Sequence, residues 1–384
     1  MTRFASALQR PGFGAIAEFK RRSPSAGDLR PDGDVSAVAR AYEAAGAVAM
    51  SVLVDDRFGG SWDDLRAARA ATGLPLLAKG FFDEADDLRT AALAGADAAL
   101  LLLRDLADDE VLAMMRAADS MGIDTLVEAH DGDELDRAVA LGAPVIGVNA
   151  RDLSTFAIDR RAQLALLDRI PADRVVVAES GIETRAQAAA AELAGANAVL
   201  VGSTLMRAPE PGAKLAQLVS RPLVKVCGLT RQDDVDAAVE AGADLVGFIL
   251  ARESPRRTDE LLVAPESVLR VAVFVGEPAE TDADLVQLYA RENGHRSRDA
   301  QLLRAGTPVG TVVDLPWGAT DETNLERALA AEGRVMLAGR LDATNVREAI
   351  DAVHPWAVDS ARSTEREPGV KDRDKLRAWV AAAR

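Results

Sequence analysis

The 384-residue chain holds a single cysteine, which excludes an internal disulfide and any metal centre built from clustered thiolates. Aromatics make up only 4% of it, so the core must be built from Ala, Val and Leu. Cations are in deficit: 45 Lys and Arg stand against 61 Asp and Glu, a net charge of −16. That balance argues against nucleic acid or an anionic membrane surface as a partner, since both need a cationic face. It leaves room for a small anionic substrate held by a few local lysines. No apolar run approaches the roughly 20 residues of a membrane span. The leading MTRFASALQRPGFG lacks an apolar signal core, so a cytoplasmic location is expected. His130, His295 and His354 are dispersed without metal-ligand spacing, and neither a metal nor a cofactor is expected.

What is present is ample apolar material, 48% of residues, enough for a sizeable core and too much for disorder. At roughly 150 residues per domain, the length calls for two domains. The first half alternates regularly. Short apolar runs (GAIAEF, AVAMSVLV, LPLLAK, DAALLLL, DTLVEA, PVIGVN, RVVVAE, NAVLVG) are separated by Ala-rich amphipathic segments, several ending at glycine: Gly46, Gly95, Gly122, Gly142, Gly195. Near-continuous apolarity suits strands buried on both faces of a parallel sheet. Eight strand–helix units in about 215 residues are the count and size of a (β/α)8 TIM barrel; a doubly wound open sheet would usually have fewer. The rhythm breaks among Pro209, Pro211 and Pro222, and a fresh strand starts at LVKVCG. The boundary is placed near Ser220, giving domains 1–219 and 220–384. The second domain begins with the same alternation and then loses it. Residues 299–314 read as a hairpin about Gly306-Thr307-Pro308. About 165 residues are thin for eight full units, so a second, contracted or distorted barrel is expected.

In such a barrel the reactive face lies at the C-terminal strand ends. Polar residues stand at many of them in the first domain: Glu18 and Lys20, Lys79, Glu128, Asn149 with Arg151, Glu179-Ser180-Gly181, and Gly202-Ser203. A single Lys or Glu at a strand end is usually a solvated terminus. So many on one face and in one register are poor core residues, because burying unpaired charge is costly. They make sense if they converge on a ligand. Glycines at the seventh and eighth ends suit the phosphate site that barrels often place there.

These residues carry a resemblance. IAEFKRRSPS, FGGS, AKGF, LVEAHD, IGVNARDL, VAESGI and VGSTLMR fall in order over nearly all of the first domain and resemble indole-3-glycerol-phosphate synthase. The resemblance implies a decarboxylating, dehydrating ring closure of an anthranilate-derived deoxyribulose phosphate. It makes Lys79 the general acid and Glu128 the base, or the acid of the dehydration. Lys20 would hold the anthranilate carboxylate. Glu18, Asn149 and Glu179 would orient these groups, and Phe81, Arg151 and Ser180 would line the substrate. Ser23, Gly181, Gly202 and Ser203 would hold the phosphate. Desolvation beside other cations would lower the lysine toward the operating pH. Two departures stand out. Gly80 replaces the Asp that usually follows the lysine, and the family's extra leading helix is largely absent, which predicts weaker substrate capture or a different lid.

In the second domain, VKVCGLTRQDDV, GADLVGFIL, SPRR, VAVFVGE, LAGRLDATNVREAI and PGVKD resemble phosphoribosylanthranilate isomerase. A lone strand Cys is more often an inert core residue. The resemblance instead makes Cys227 the general base and Asp314 the general acid of an Amadori rearrangement, with Arg256 on the anthranilate carboxylate. Tyr289 replaces a histidine, LPWGATDET replaces a glycine loop, Arg340 replaces the second glycine of LAGGL, and DSARSTE replaces an SSG element. Arg340 and Arg362 could hold the phosphate through side chains. The expected whole is a bifunctional enzyme of tryptophan biosynthesis. The alternatives are a synthase with a non-catalytic C-terminal barrel, and a histidine-pathway or binding barrel, which would need Asp where Glu18 and Glu128 stand.

Overall fold

The computed structural model describes residues 2–24, 26–152, 154–293, 295–314 and 322–384, with no side chains described for 322–324. Two compact units divide it: Met1–Glu183 with Ala188–Val219, and Thr184–Gln187 with Ser220–Arg384.

The first unit carries β1 (Gly14–Phe19), β2 (Ala49–Leu53), β3 (Leu76–Lys79), β4 (Ala98–Leu102), β5 (Asp124–Ala129), β6 (Val145–Asn149), β7 (Val175–Glu179) and β8 (Ala198–Val201). All pair in parallel, and the ring closes where β1 meets β8, Gly14 opposite Ala198. Several helices follow the strands because a short polar side chain ends the loop and accepts a free backbone N–H of the first turn. Asp34 accepts from Ser36, Ser61 from Asp64, Asp131 from Glu134 and Asp159 from Ala162. Every residue of β5, β6 and β7 is buried, as strands covered on both faces require. Inside the ring, Ile16, Leu77, Leu100, Leu126, Val145, Val177 and Leu200 form one cluster with Phe4 and Leu8 of the helix Arg3–Leu8. The Ala5 N–H donates to Asp124, the first residue of β5, at 2.8 Å. That helix therefore plugs the end where the strands begin, and the opposite end stays open.

The second unit carries β9 (Leu223–Cys227), β10 (Leu245–Ile249), β11 (Leu269–Val275), β12 (Leu285–Glu292), β13 (His295–Arg304), β14 (Thr307–Asp314), β15 (Val335–Ala338) and β16 (Ala357–Ser360), again closed into a ring. The distortion expected of it is concrete. β13 runs antiparallel to both β12 and β14, and among the described residues only four helices accompany the strands: Gln232–Ala241, Glu322–Ala330, Val346–Val353 and Arg373–Ala383. The hairpin turns at Ala305-Gly306, both with positive φ (48° and 79°) and with Arg304 opposite Thr307, as a tight two-residue connection demands. The turn thus includes Gly306 and falls one residue earlier than the Gly306-Thr307-Pro308 expected from sequence. In β12, Leu285, Gln287 and Tyr289 are buried while their neighbours are not. That alternation marks a sheet with one face toward water.

Candidate active sites

The open end of the first barrel holds a cavity of about 440 Å³, within the range of small-ligand pockets. Glu18, Lys20, Lys79, Glu128, Asn149 and Glu179 line it from five strand ends and the residue after β1. Ser23, Phe81, Arg151, Ser180, Gly181, Gly202 and Ser203 complete its wall. The strand register thus brings together all thirteen residues that the sequence singled out in this domain.

Lys79 is the hub. Its Nζ lies 2.5 Å from Glu179 Oε2, 3.5 Å from Glu128 Oε2 and 3.8 Å from Glu18 Oε2, with its side chain 14% exposed. Burial alone would lower the lysine, but the three carboxylates outweigh it and hold the ammonium well above its ordinary range. This corrects the sequence-based expectation of a lysine acidified by neighbouring cations: its nearest neighbours are anions. Lys20 Nζ sits 2.6 Å from Glu18 Oε1. Burial would raise Glu18, and Lys20 and Lys79 hold it below the usual range.

The remaining carboxylates divide. Asn149 Nδ2 donates to Glu128 Oε1 at 2.9 Å, and His130 Nε2 lies 3.1 Å from the same oxygen. Burial would raise Glu128, but Lys79, His130 and Asn149 hold it below the carboxylate range. Burial and then the Glu128 charge push Glu179 up to about 8. Glu128 Oε2 and Glu179 Oε1 are both buried without a hydrogen-bond partner, and two buried carboxylates around one ammonium favour a proton on one of them.

Room for this cluster comes from missing side chains. A Cβ on Gly202 would stand 2.1 Å from Glu18 Oε1, and one on Gly147 would stand 2.3 Å from Glu179 Oε1. Gly202 therefore serves the Glu18–Lys20 pair as well as the pocket wall. Gly80 makes room too: a Cβ there would meet the Phe82 ring at 2.8 Å, and that ring stacks on Trp62. Ser180 and Gly181 both take left-handed backbone (φ 68° and 71°) directly after β7. For serine that conformation is strained, and such strain clusters at functional sites.

The second barrel opens into a cavity of about 1080 Å³ lined by Cys227, Arg256, Asp314, Arg340 and Arg362, the five residues named in that domain. Beside Cys227, and buried completely, lies Lys225, whose Nζ donates to Gln287 Oε1 at 2.6 Å and to Asp359 Oδ2 at 2.9 Å. Burial pushes the Cys227 thiol up, and Lys225 opposes that. Asp314 accepts from the Tyr289 hydroxyl at 3.0 Å and pairs with Arg296 at 2.7 Å. The Arg256 guanidinium donates side-on to both oxygens of Glu365, Nε to Oε1 at 2.9 Å and Nη2 to Oε2 at 2.8 Å. Arg340 and Arg362 are exposed, and Arg340 holds φ 58° beside Gly339 at 95°. Most of the LPWGATDET run, residues 315–321, lies outside the described residues.

Sequence reasoning missed His130, Lys225, Tyr289 and Arg296 as site residues. His130 had a signal: it stands two residues after Glu128, just past the end of the same strand and within reach of the same carboxylate.

A lysine ringed by carboxylates at the open end of a parallel eight-stranded barrel, beside left-handed turns after the seventh strand, defines a (β/α)8 barrel with an acid–base site at its mouth. The indole-3-glycerol phosphate synthase family model matches residues 2–218, and the chain belongs to that family. It is 46% identical over 217 residues to indole-3-glycerol phosphate synthase 2 of Streptomyces coelicolor, covering 56% of this chain and 84% of that protein. It is 44% identical over 216 residues to the synthase of Mycobacterium ulcerans, covering 56% and 79%. The N-(5'-phosphoribosyl)anthranilate isomerase family model matches residues 306–382, a segment that holds Asp314, Arg340 and Arg362 but not Cys227 or Arg256. A multifunctional tryptophan biosynthesis protein of Schizosaccharomyces pombe is 29% identical over an alignment covering 96% of this chain and 59% of that protein. The chain is an enzyme of tryptophan biosynthesis with two TIM barrels in series. Among the described residues, no helix is long and apolar enough to cross a membrane.

Proposed function

We propose that the first barrel closes the indole ring of 1-(2-carboxyphenylamino)-1-deoxyribulose 5-phosphate and that the second makes that compound from N-(5-phosphoribosyl)anthranilate. The observation that carries the synthase reading is the Lys79 ammonium among Glu18, Glu128 and Glu179. Lys79 gives its proton to the substrate carbonyl oxygen as the aromatic carbon attacks that carbonyl carbon. Carbon dioxide then leaves the ring, and the new hydroxyl departs as water. Glu128 takes the proton released on aromatisation or supplies the one that leaves with water. The substrate carboxylate draws Lys20 from Glu18, and Asn149 and Glu179 orient the acid and base. The phosphate lies against Ser23, Gly181, Gly202 and Ser203, with Phe81, Arg151 and Ser180 along the remainder of the substrate.

In the second barrel, Cys227 removes the sugar C2 proton and Asp314 protonates the departing ring oxygen. Arg256 receives the anthranilate carboxylate, and Arg340 and Arg362 the phosphate. One observation favours a second reading, a non-catalytic C-terminal barrel. Arg296 and Tyr289 both engage Asp314, so the side chain assigned to meet the substrate is already occupied by two partners from the barrel itself. Adding N-(5-phosphoribosyl)anthranilate to the purified chain tests both readings. The deoxyribulose phosphate followed by indole-3-glycerol phosphate supports two activities. Turnover of added deoxyribulose phosphate alone supports the second reading. The charge balance favours small anionic substrates over nucleic acid or an anionic membrane surface as partners.

A further inference from the structure

His130 has no place in the roles above, yet it is built into the first site from behind. It is the residue after β5, and its side chain is 12% exposed. It does not line the cavity. Its Nε2 lies 3.1 Å from Glu128 Oε1, and its Nδ1 lies 3.1 Å from Glu134 Oε2. Glu134 also accepts the His130 backbone N–H at 2.8 Å, which locks the histidine to the first turn of the helix Gly132–Ala140. An imidazole between two carboxylates is held as a cation; burial opposes this, but the two glutamates push it up to about 10. The other charges near this chain are Arg104 after β4, beside Glu134 and Glu128, and Lys79, Glu179 and Glu18 within the cavity.

The consequence concerns which carboxylate of the Glu128–Glu179 pair carries the proton. Lys79 lies nearer Glu179 than Glu128, at 2.5 Å against 3.5 Å, so by itself it would favour ionisation of Glu179. Asn149 and His130 act on Glu128 alone. We propose that His130, backed by Glu134, is a positioning residue that keeps Glu128 the ionised member of the pair and leaves the proton on Glu179. Glu128 is then free to accept a proton during ring closure. This rests on the synthase reading and deepens it, since it fixes which glutamate is the base.

The test uses the full chain and the deoxyribulose phosphate, with kcat and kcat/KM followed from pH 3 to 9. Wild-type ring closure tests the synthase reading separately; its absence would sink that reading before this one. His130→Asn removes the cation while keeping a polar side chain. The expected result is a kcat lower by on the order of tenfold with KM little changed, and an acid limb moved upward by about one pH unit or more, because Glu128 then holds a proton at higher pH. Glu134→Gln should move the limb in the same direction by less. It carries the test if His130→Asn does not fold, as judged by circular dichroism. Unchanged activity, or a lower rate with an unmoved acid limb in whichever variant folds, overturns the proposal.

Discussion

The two barrels arrange charge at their mouths in opposite ways. In the first, one ammonium, Lys79, is surrounded by three carboxylates, and the space they need comes from side chains that are missing at Gly147 and Gly202. In the second, a carboxylate, Asp314, is clasped by Arg296 and Tyr289, and the rim carries arginines, one of them in a left-handed backbone conformation. The first barrel aims its charges with parallel strands, so every contributor sits at a strand end. The second turns one strand around and thereby brings the start of β13, where Arg296 stands, to the same rim as the end of β14. A barrel can keep its ring of strands while changing which part of the chain reaches its mouth.

The comparison can be broken most sharply at its two centres. Lys79→Ala should lower ring closure, read as indole-3-glycerol phosphate formed from added deoxyribulose phosphate, by on the order of a hundredfold or more while leaving isomerisation of N-(5-phosphoribosyl)anthranilate untouched. Near-normal turnover would remove Lys79 from its role. Cys227→Ser should do the converse, abolishing the isomerase signal and sparing the synthase; equal loss of both would mean that the change acts through folding. Gly202→Ala would sharpen the contrast between room and filling. Its Cβ must displace the Glu18–Lys20 pair, so synthase kcat/KM should fall by about tenfold, and an unaltered value would show that the pair is dispensable. The smallest effect is expected of Arg340→Gly. Relief of left-handed strain, about 1 kcal/mol, offsets the extra chain entropy of glycine. The thermal midpoint should hardly move while the isomerase KM rises several-fold. A lower KM would mean that Arg340 obstructs the site instead of serving it.

The first barrel was readable because its strands are continuous apolar runs and its helices end at glycines, so the polar residue closing each run stands out. The second was harder for physical reasons. β13 is written HRSRDAQLLR, and its first half is polar because much of it faces solvent; only the DAQLL portion reads as a strand. Arg296 was invisible because a rule about strand ends fails for a strand that runs backwards. Lys225 gave no hint of complete burial, since a lysine in VKVC looks like any strand-edge cation until Gln287 and Asp359 are seen beside it. The electrostatic expectation for Lys79 failed because the sequence reveals which charges are present but not which stand nearest, and at a few ångströms that decides the sign of the shift.

The reversed strand also bears on how each ring can assemble. The first barrel closes only when Gly14 finds Ala198, a pairing that spans nearly the whole unit and must await everything between. In the second, Arg304 already lies against Thr307 and Glu292 against His295, so three of the eight staves can zip together from neighbouring sequence. A stretch that condenses early from local pairings offers the remaining strands a ready-made template, and the second ring has fewer distant encounters to wait for than its larger companion.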